Sequence, residues 1–194
     1  MIELRGDRVL LRGFRPDEID LALERMQSIP ASELDAQERR ERRERIERSG
    51  RRVGWEIMLA IEADERVVGD VQGRCPVFAL PRGVWELGIE LWDETDRGRG
   101  FGTQAVALLS AYLFEHEDAI RVQATTDVDN AQMRGILERL GFGFEGVLRG
   151  FMPDPGGPPR DYAMYGLTES AWNDNRDDDK RDGRVDGQVN GRRD

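Results

Sequence analysis

The stretch that most constrains this chain is Arg97-Gly98-Arg99-Gly100-Phe101-Gly102-Thr103, set between a strand-like run (Trp85 to Trp92) and a helix-like run (Thr103 to Glu115). Glycine at alternate positions lets a backbone turn at positive φ and come close to a ligand. A helix beginning there directs unbonded N–H groups, and the positive end of its dipole, back at the turn. Strand, glycine turn and helix start together form an anion site, and the two arginines add charge. The pattern predicts a bound pyrophosphate. It is not the dinucleotide fingerprint G-x-G-x-x-G, because Gly98, Gly100 and Gly102 give G-x-G-x-G in mid-chain. Nor is it the ATP/GTP loop, since Gly102-Thr103 lacks both the spacing and the lysine.

Composition narrows the partners of such a site. The 194 residues fit one ordinary domain with an appendage. A formal charge of −10 argues against a general nucleic-acid binder and gives a weak preference for cationic substrates. The single cysteine, Cys75, rules out an internal disulfide and any cysteine-built metal site, and reads as a buried small hydrophobe. Met1-Ile2-Glu3-Leu4-Arg5 opens no signal-peptide core, and no apolar run reaches the roughly 18 residues of a membrane span. A cytoplasmic protein with no metal is the expectation.

Along the chain, residues 2–14 read as a strand or hairpin, and Pro16-Asp17-Glu18 opens a helix carried on by Ile19, Leu23 and Met26. Residues 33–48 are almost all charged. Glu38/Arg42, Glu41/Arg45 and Glu44/Arg48 are spaced i,i+4, which predicts an exposed helix laced with ion pairs. The other reading, an arginine-rich face for an acidic partner such as RNA, is weakened by the interleaved glutamates. Trp55, Ile57, Leu59 and Ile61 alternate as a half-buried strand. Asp64-Glu65 marks a turn, Val67 to Val71 the return strand, and Gly69 a bulge. Residues 75–83 form a loop.

Leu87, Ile89 and Leu91 form one face of the next strand with Trp85, while Glu86, Gly88 and Glu90 form the other. Carboxylates on an inner strand are costly unless paired or used. His116, the only histidine, ends the following helix among carboxylates and reads as a solvated or capping group. A strand (Ile120 to Thr126), a helix striped by Met133, Ile136, Leu137 and Leu140 with Gly141 as its cap, and strands at 142–148 and 161–167 complete the domain. From Asn173 onward apolar residues nearly vanish, which predicts a disordered tail. The element order is too irregular for a doubly wound fold and indicates α+β with a mixed sheet.

Three blocks, in order, carry a family resemblance. Arg97-x-x-Gly100-x-Gly102 resembles the acetyl-CoA loop of the GNAT superfamily of N-acetyltransferases, and Glu86-Leu87-Gly88-Ile89-x-Leu91 resembles the strand before it. Asn130 to Arg149 is similar to the second conserved block. Arg160-Asp161-Tyr162-x-x-Tyr165-x-Leu167 resembles the closing strand of the ribosomal-protein-alanine acetyltransferase branch. The likeness covers residues 1–172 and leaves 173–194 as the charged tail.

The resemblance implies a mostly antiparallel, twisted sheet flanked by helices, with a V-shaped splay between two central strands. Acetyl-CoA is the implied cosubstrate. Main-chain donors of Arg97, Gly98, Arg99, Gly100, Phe101, Gly102 and Thr103 would hold its diphosphate. Leu91 and Trp92 would pair with the pantetheine amides, and Asn130 would contact that arm. The acceptor would be a small amine or a protein N-terminus, and dimers are common among relatives. The amine must be neutral to attack: at pH 7 that costs a lysine-like group roughly 4–5 kcal/mol and an α-amine about 1. A carboxylate can take the proton. Glu86 is the first candidate and Glu90 the second, each set against a plain ion-pair role. Where many relatives carry a tyrosine acid this chain has Leu137, and where the ribosomal branch often has serine it has Met133. Tyr162, Tyr165 or water is left to donate to the thiolate. The alternative is a catalytically weak, acyl-CoA-binding regulatory module.

Overall fold

A computed structural model describes residues 1–26, 34–154 and 156–181, with side chains as far as residue 176. Its strands are β1 (Leu4–Arg5), β2 (Leu10–Arg12), β3 (Arg52–Val53), β4 (Glu56–Ala63), β5 (Arg66–Arg74), β6 (Val84–Leu91), β7 (Arg121–Asp127), β8 (Gly143–Met152) and β9 (Arg160–Thr168). Its helices are α1 (Ile19–Arg25), α2 (Ala36–Glu47), α3 (Phe101–His116), α4 (Ala131–Arg139) and α5 (Glu169–Arg181). The sheet runs β1-β2-β4-β5-β6-β7-β9-β8, with β3 beside β4. Every pairing is antiparallel except β6 with β7. This is the GNAT-type α+β sheet that the resemblance implies.

Side-chain alternation divides the sheet into two apolar faces. Ile57, Leu59 and Ile61 of β4 join Trp85, Leu87, Val122 and Ala124 beneath α3, whose Phe101, Ala105, Leu109 and Leu113 are buried. Met58 and Ala60, on the opposite side of β4, join Phe14, Leu23, Met26, Ile46 and Trp92 under α1 and α2. The alternation at 55–61 predicts a strand covered on one side. In fact β4 is buried on both, because α1 and α2 roof its second face, and it is Trp55 that is exposed.

The arginines of α2 do not simply tie the helix to itself. Arg43 pairs with Asp20, Arg39 with Glu24 at 2.5 Å, and Arg45 with Glu56 at 3.1 Å. Ion pairing therefore holds α2 onto α1 and β4. The helix starts cleanly because the Asp35 side chain caps the N–H groups of Gln37 and Glu38.

Gly69 sits beside a register shift where Ile61 faces Gly69 but Glu62 faces Val67. A Cβ on Gly69 would lie 2.0 Å from the Glu90 carbonyl oxygen, so only glycine lets β5 and β6 close there. Helix α5 continues to Arg181, so residues 173–181, expected to be disordered, are helical. Residues 182–194 lie outside the described residues, as does part of the acidic and basic segment that begins at 33. Among the described residues, no helix is long and apolar enough to cross a membrane.

Candidate active site

The glycine turn has the conformation its sequence requires. Gly98 (φ 73°) and Gly100 (φ 86°) are both left-handed, and Gly100 is the residue from which α3 starts. Gly100 has no side chain with which to cap the helix. Among the described residues, the N–H groups from Gly98 to Thr103 have no protein acceptor. Arg97, by contrast, donates to the Glu94 carbonyl at 3.0 Å, and the helical ladder begins with Gln104 donating to Gly100 at 3.1 Å. The first turn of α3 therefore keeps its donors for something else.

The two arginines of the turn do different jobs. Arg99 reaches Asp64 at 2.7 Å, lies 3.5 Å from the fully buried Asp96, and stacks over the Phe101 ring at 4.6 Å. Arg66 meets the same Asp96 oxygen at 2.6 Å. The tip of the β4–β5 hairpin is thus fastened to the turn, and Arg99 is part of the fastening. Among the described residues, the Arg97 guanidinium has only an exposed contact with Glu94 at 3.6 Å, and Arg97 lines the adjoining cleft. A third cation, Arg8, donates to the Arg99 carbonyl at 3.1 Å, and Gln104 holds the backbone of Arg8 and Val9 in place. The sequence gives no sign of Arg8, because it comes from a hairpin ninety residues away.

The cleft exists because β6 and β7 separate. They pair from Val84/Arg121 to Leu87/Ala124 and no further. Beyond that point a cleft of about 310 Å³ opens, lined by Ile89, Glu90, Leu91, Arg97, Asn130 and Met133 among others. Antiparallel pairing alternates the direction of main-chain groups. The Trp92 N–H donates to Val68 at 3.0 Å, so Leu91 turns its main chain to the open side. This corrects the expectation for Trp92: its amide is already engaged by β5 and its indole is buried against Phe14. The Asn130 side-chain oxygen caps α4 by accepting from Met133 N–H at 3.0 Å. The cap fixes the amide orientation and leaves the Asn130 NH₂ for the cleft.

The carboxylates separate by position. Glu86 lies opposite Arg74 on β5 and is paired with it at 3.1 Å, away from the residues that line the cleft. Glu90, one turn of the alternation beyond Gly88, lines the cleft itself. Of the two, Glu90 is the one that borders the cleft. Directly across from Glu90 stands Asp70, which is 2% exposed and which the sequence reading missed entirely. Burial first of all, and then the neighbouring Glu90, push its carboxyl up to about 6 against the pull of two hydrogen bonds.

The tyrosines are less well placed. Tyr165 is buried, accepts from Arg134 at 3.2 Å and donates to Glu138 at 2.8 Å, so its hydroxyl is engaged on α4. Tyr162 pairs in register with Asp127 and packs on Phe151, outside the cleft lining. Leu137 is wholly buried. His116 ends α3 on Tyr112, about 22 Å along the helix from the glycine turn. Among the described residues, no group of side chains gathers to hold a metal.

A family model described as an acetyltransferase (GNAT) domain matches residues 8–143. No curated protein matches the chain. Several solved structures are similar. A GNAT-family acetyltransferase from Bacillus anthracis is 17% identical with a TM-score of 0.67, over 87% of this chain and 99% of that one. RimL, a ribosomal-protein alpha-N-acetyltransferase in complex with coenzyme A, is 18% identical with a TM-score of 0.68, over 87% and 99%. A spermidine N-acetyltransferase chimera of Vibrio cholerae SpeG and hSSAT is 16% identical with a TM-score of 0.69, over 87% and 99%. At these identities the likeness to each is one of fold.

Proposed function

Because this chain belongs to the GNAT family of acetyltransferases, we propose that it moves an acetyl group from acetyl-CoA to a primary amine, with Glu90 as the base. The observation that carries the reading is a coincidence in space. The head of α3 with its unbonded donors, the open edge of Leu91 and Glu90 all border one cleft. The residues fit a pyrophosphate carrier: donors ring the turn, and Arg97 and Arg8 add charge beside it.

Glu90 takes a proton from the bound ammonium. The neutral nitrogen then bonds to the thioester carbon as the carbon–sulfur bond breaks, and the nitrogen's second proton passes through water to the departing thiolate. The thiolate leaves to water, since neither Met133 nor Leu137 offers it a proton. Glu86 acts as a structural partner of Arg74. The acceptor is a cation at neutral pH, either a protein N-terminus, as RimL's name states for that protein, or a small polyamine, as SpeG's does.

The test is direct. The protein with acetyl-CoA and a panel of peptides and small amines should release free thiol, with a mass gain on one class of acceptor. Tight coenzyme A binding without thiol release from any amine would instead favour the second reading, a regulatory module. The missing hydroxyls at Met133 and Leu137 are what recommend that reading.

A further inference from the structure

We propose that Asp70 is the positioning residue of this site: seated straight across the β5–β6 pair from Glu90, it acts through Glu90 to strengthen that carboxylate's hold on a proton and on a cationic amine. The proposal rests on the function inferred above and adds to it the residue that tunes the base and selects for positive charge.

The register pairs Asp70 with Glu90, so both side chains stand on the α1/α2 face of the sheet. Cβ atoms of such a pair lie about 4.5–5.5 Å apart, and like charges there repel. Yet Asp70 is held firmly: Trp92 Nε1 donates to one oxygen at 3.2 Å and Gln72 Nε2 to the other at 2.7 Å. Both donors are neutral. The cation that faces it from α2, Arg45, is engaged with the Gln72 amide oxygen at 3.1 Å and with Glu56 at 3.1 Å. From β4 the facing residue is Ala60, which carries no charge. Glu90 is thus the group on β6 that shares its charge with Asp70.

Burial keeps Asp70 out of contact with any acceptor, while Glu90 is among the residues that line the cleft. Their interaction is mutual: whatever Glu90 does to the ionisation of Asp70, Asp70 does to Glu90. Since Glu90 raises the proton affinity of Asp70, the Asp70 charge raises that of Glu90. A base so biased takes a proton from an ammonium more readily. The paired charges also attract the ammonium before it loses that proton. Gly88, between Glu86 and Glu90 on the same face, leaves room there, since an added Cβ would meet only Arg74 at 3.5 Å.

Asp70→Asn keeps the shape and removes the charge. In that variant the acid limb of the kcat/KM profile for the amine should move down by about one pH unit, and the amine KM at pH 7 should rise about tenfold. The dissociation constant for coenzyme A should stay within about twofold. An unmoved limb and an unchanged amine KM would overturn the proposal. So would a loss of coenzyme A affinity equal to the loss for amine, because that is the signature of a merely structural role. If the wild type acetylates no amine, the proposed function fails on its own account. The carboxyl titration of Glu90, followed by carbon-13 NMR without substrate, then decides. Its midpoint should fall in Asp70→Asn, and a fixed midpoint refutes the coupling. Should Asp70→Asn not fold, the reciprocal variant Glu90→Gln should lower the midpoint of Asp70, and no change there would be equally fatal.

Discussion

The two faces of the central sheet are built by different rules. On the α3/α4 face, the proposed recognition relies on main chain: a glycine turn, the bare start of a helix and the open edge of Leu91. On the α1/α2 face it relies on side chains brought from different elements, with Asp70, Gln72 and Arg74 on β5 set against Glu90 and Glu86 on β6. The first face is a large continuous apolar core, whereas the second is a small cluster with carboxylates at its border. A carrier of fixed structure can be held by geometry common to any sequence with the right glycines. An acceptor that varies must be met by charge and shape, and these are adjustable residue by residue.

The sharpest way to break this comparison is to remove the carboxylate proposed as the base. Glu90→Gln should lower kcat/KM for the amine by roughly 10²–10⁴-fold and leave coenzyme A affinity nearly intact. Glu86→Gln, which only unpairs Arg74, should cost less than about fivefold, in line with a half-exposed ion pair. Equal losses from the two variants would erase the distinction between them. Next in size, Gly69→Ala drives a methyl into the Glu90 carbonyl oxygen. Since a backbone atom cannot swing aside, unfolding by urea should show roughly 3 kcal/mol of lost stability, at the top of the overpacking range. A variant as stable as wild type would mean that β5 and β6 have slack to separate.

The same contrast explains what the sequence could and could not tell. The glycine turn was legible because every part of it is local: glycines at 98, 100 and 102, a strand before and a helix after. The splay was implied by the resemblance and follows physically from a parallel pair that ends at Leu87 and Ala124. Asp70 was invisible because its meaning lies in its register with Glu90, and register across a hairpin and a loop is not written in either strand alone. Trp92 was misread for a similar reason. Its place after Leu91 suggested the open edge, but the alternation of the β5 ladder turns its amide inward. Glu86 stands first by resemblance alone, and its pairing with Arg74, twelve residues earlier on β5, is not written in its own strand.

The buried carboxylate should also leave its mark on stability. The Asp70 carboxyl is raised from 3.8 to about 6 in the folded chain, chiefly by burial. The folded state therefore holds this proton more tightly than the unfolded state does. Its contribution is complete below pH 4 and is lost as pH rises through about 6. Relative to wild type, Asp70→Asn should gain roughly 2 kcal/mol between pH 4 and pH 7.5. Urea unfolding of both proteins at the two pH values gives the difference, in which the titration of every other group largely cancels. A difference that does not change with pH would show Asp70 to be ordinary. The expected sign also makes Asp70 a residue that costs stability at neutral pH, as functional groups often do.

The smallest effect separates the two arginines of the turn. Arg97 lines the cleft with its charge nearly free, whereas Arg99 is drawn back to Asp64 and Asp96 and lies over Phe101. Arg97→Ala should weaken coenzyme A about tenfold, the value of one charge-assisted contact at its lower end, and should flatten the dependence of binding on salt. Arg99→Ala should change coenzyme A affinity less than about threefold but lower the melting temperature, because it unfastens the hairpin tip from the turn. Calorimetric titration at low and high salt, beside thermal unfolding, reads both variants at once. If Arg99→Ala proves the more damaging to binding, then the tether itself shapes the phosphate cradle, and the division between main-chain recognition on one face and side-chain recognition on the other must be redrawn at Asp96.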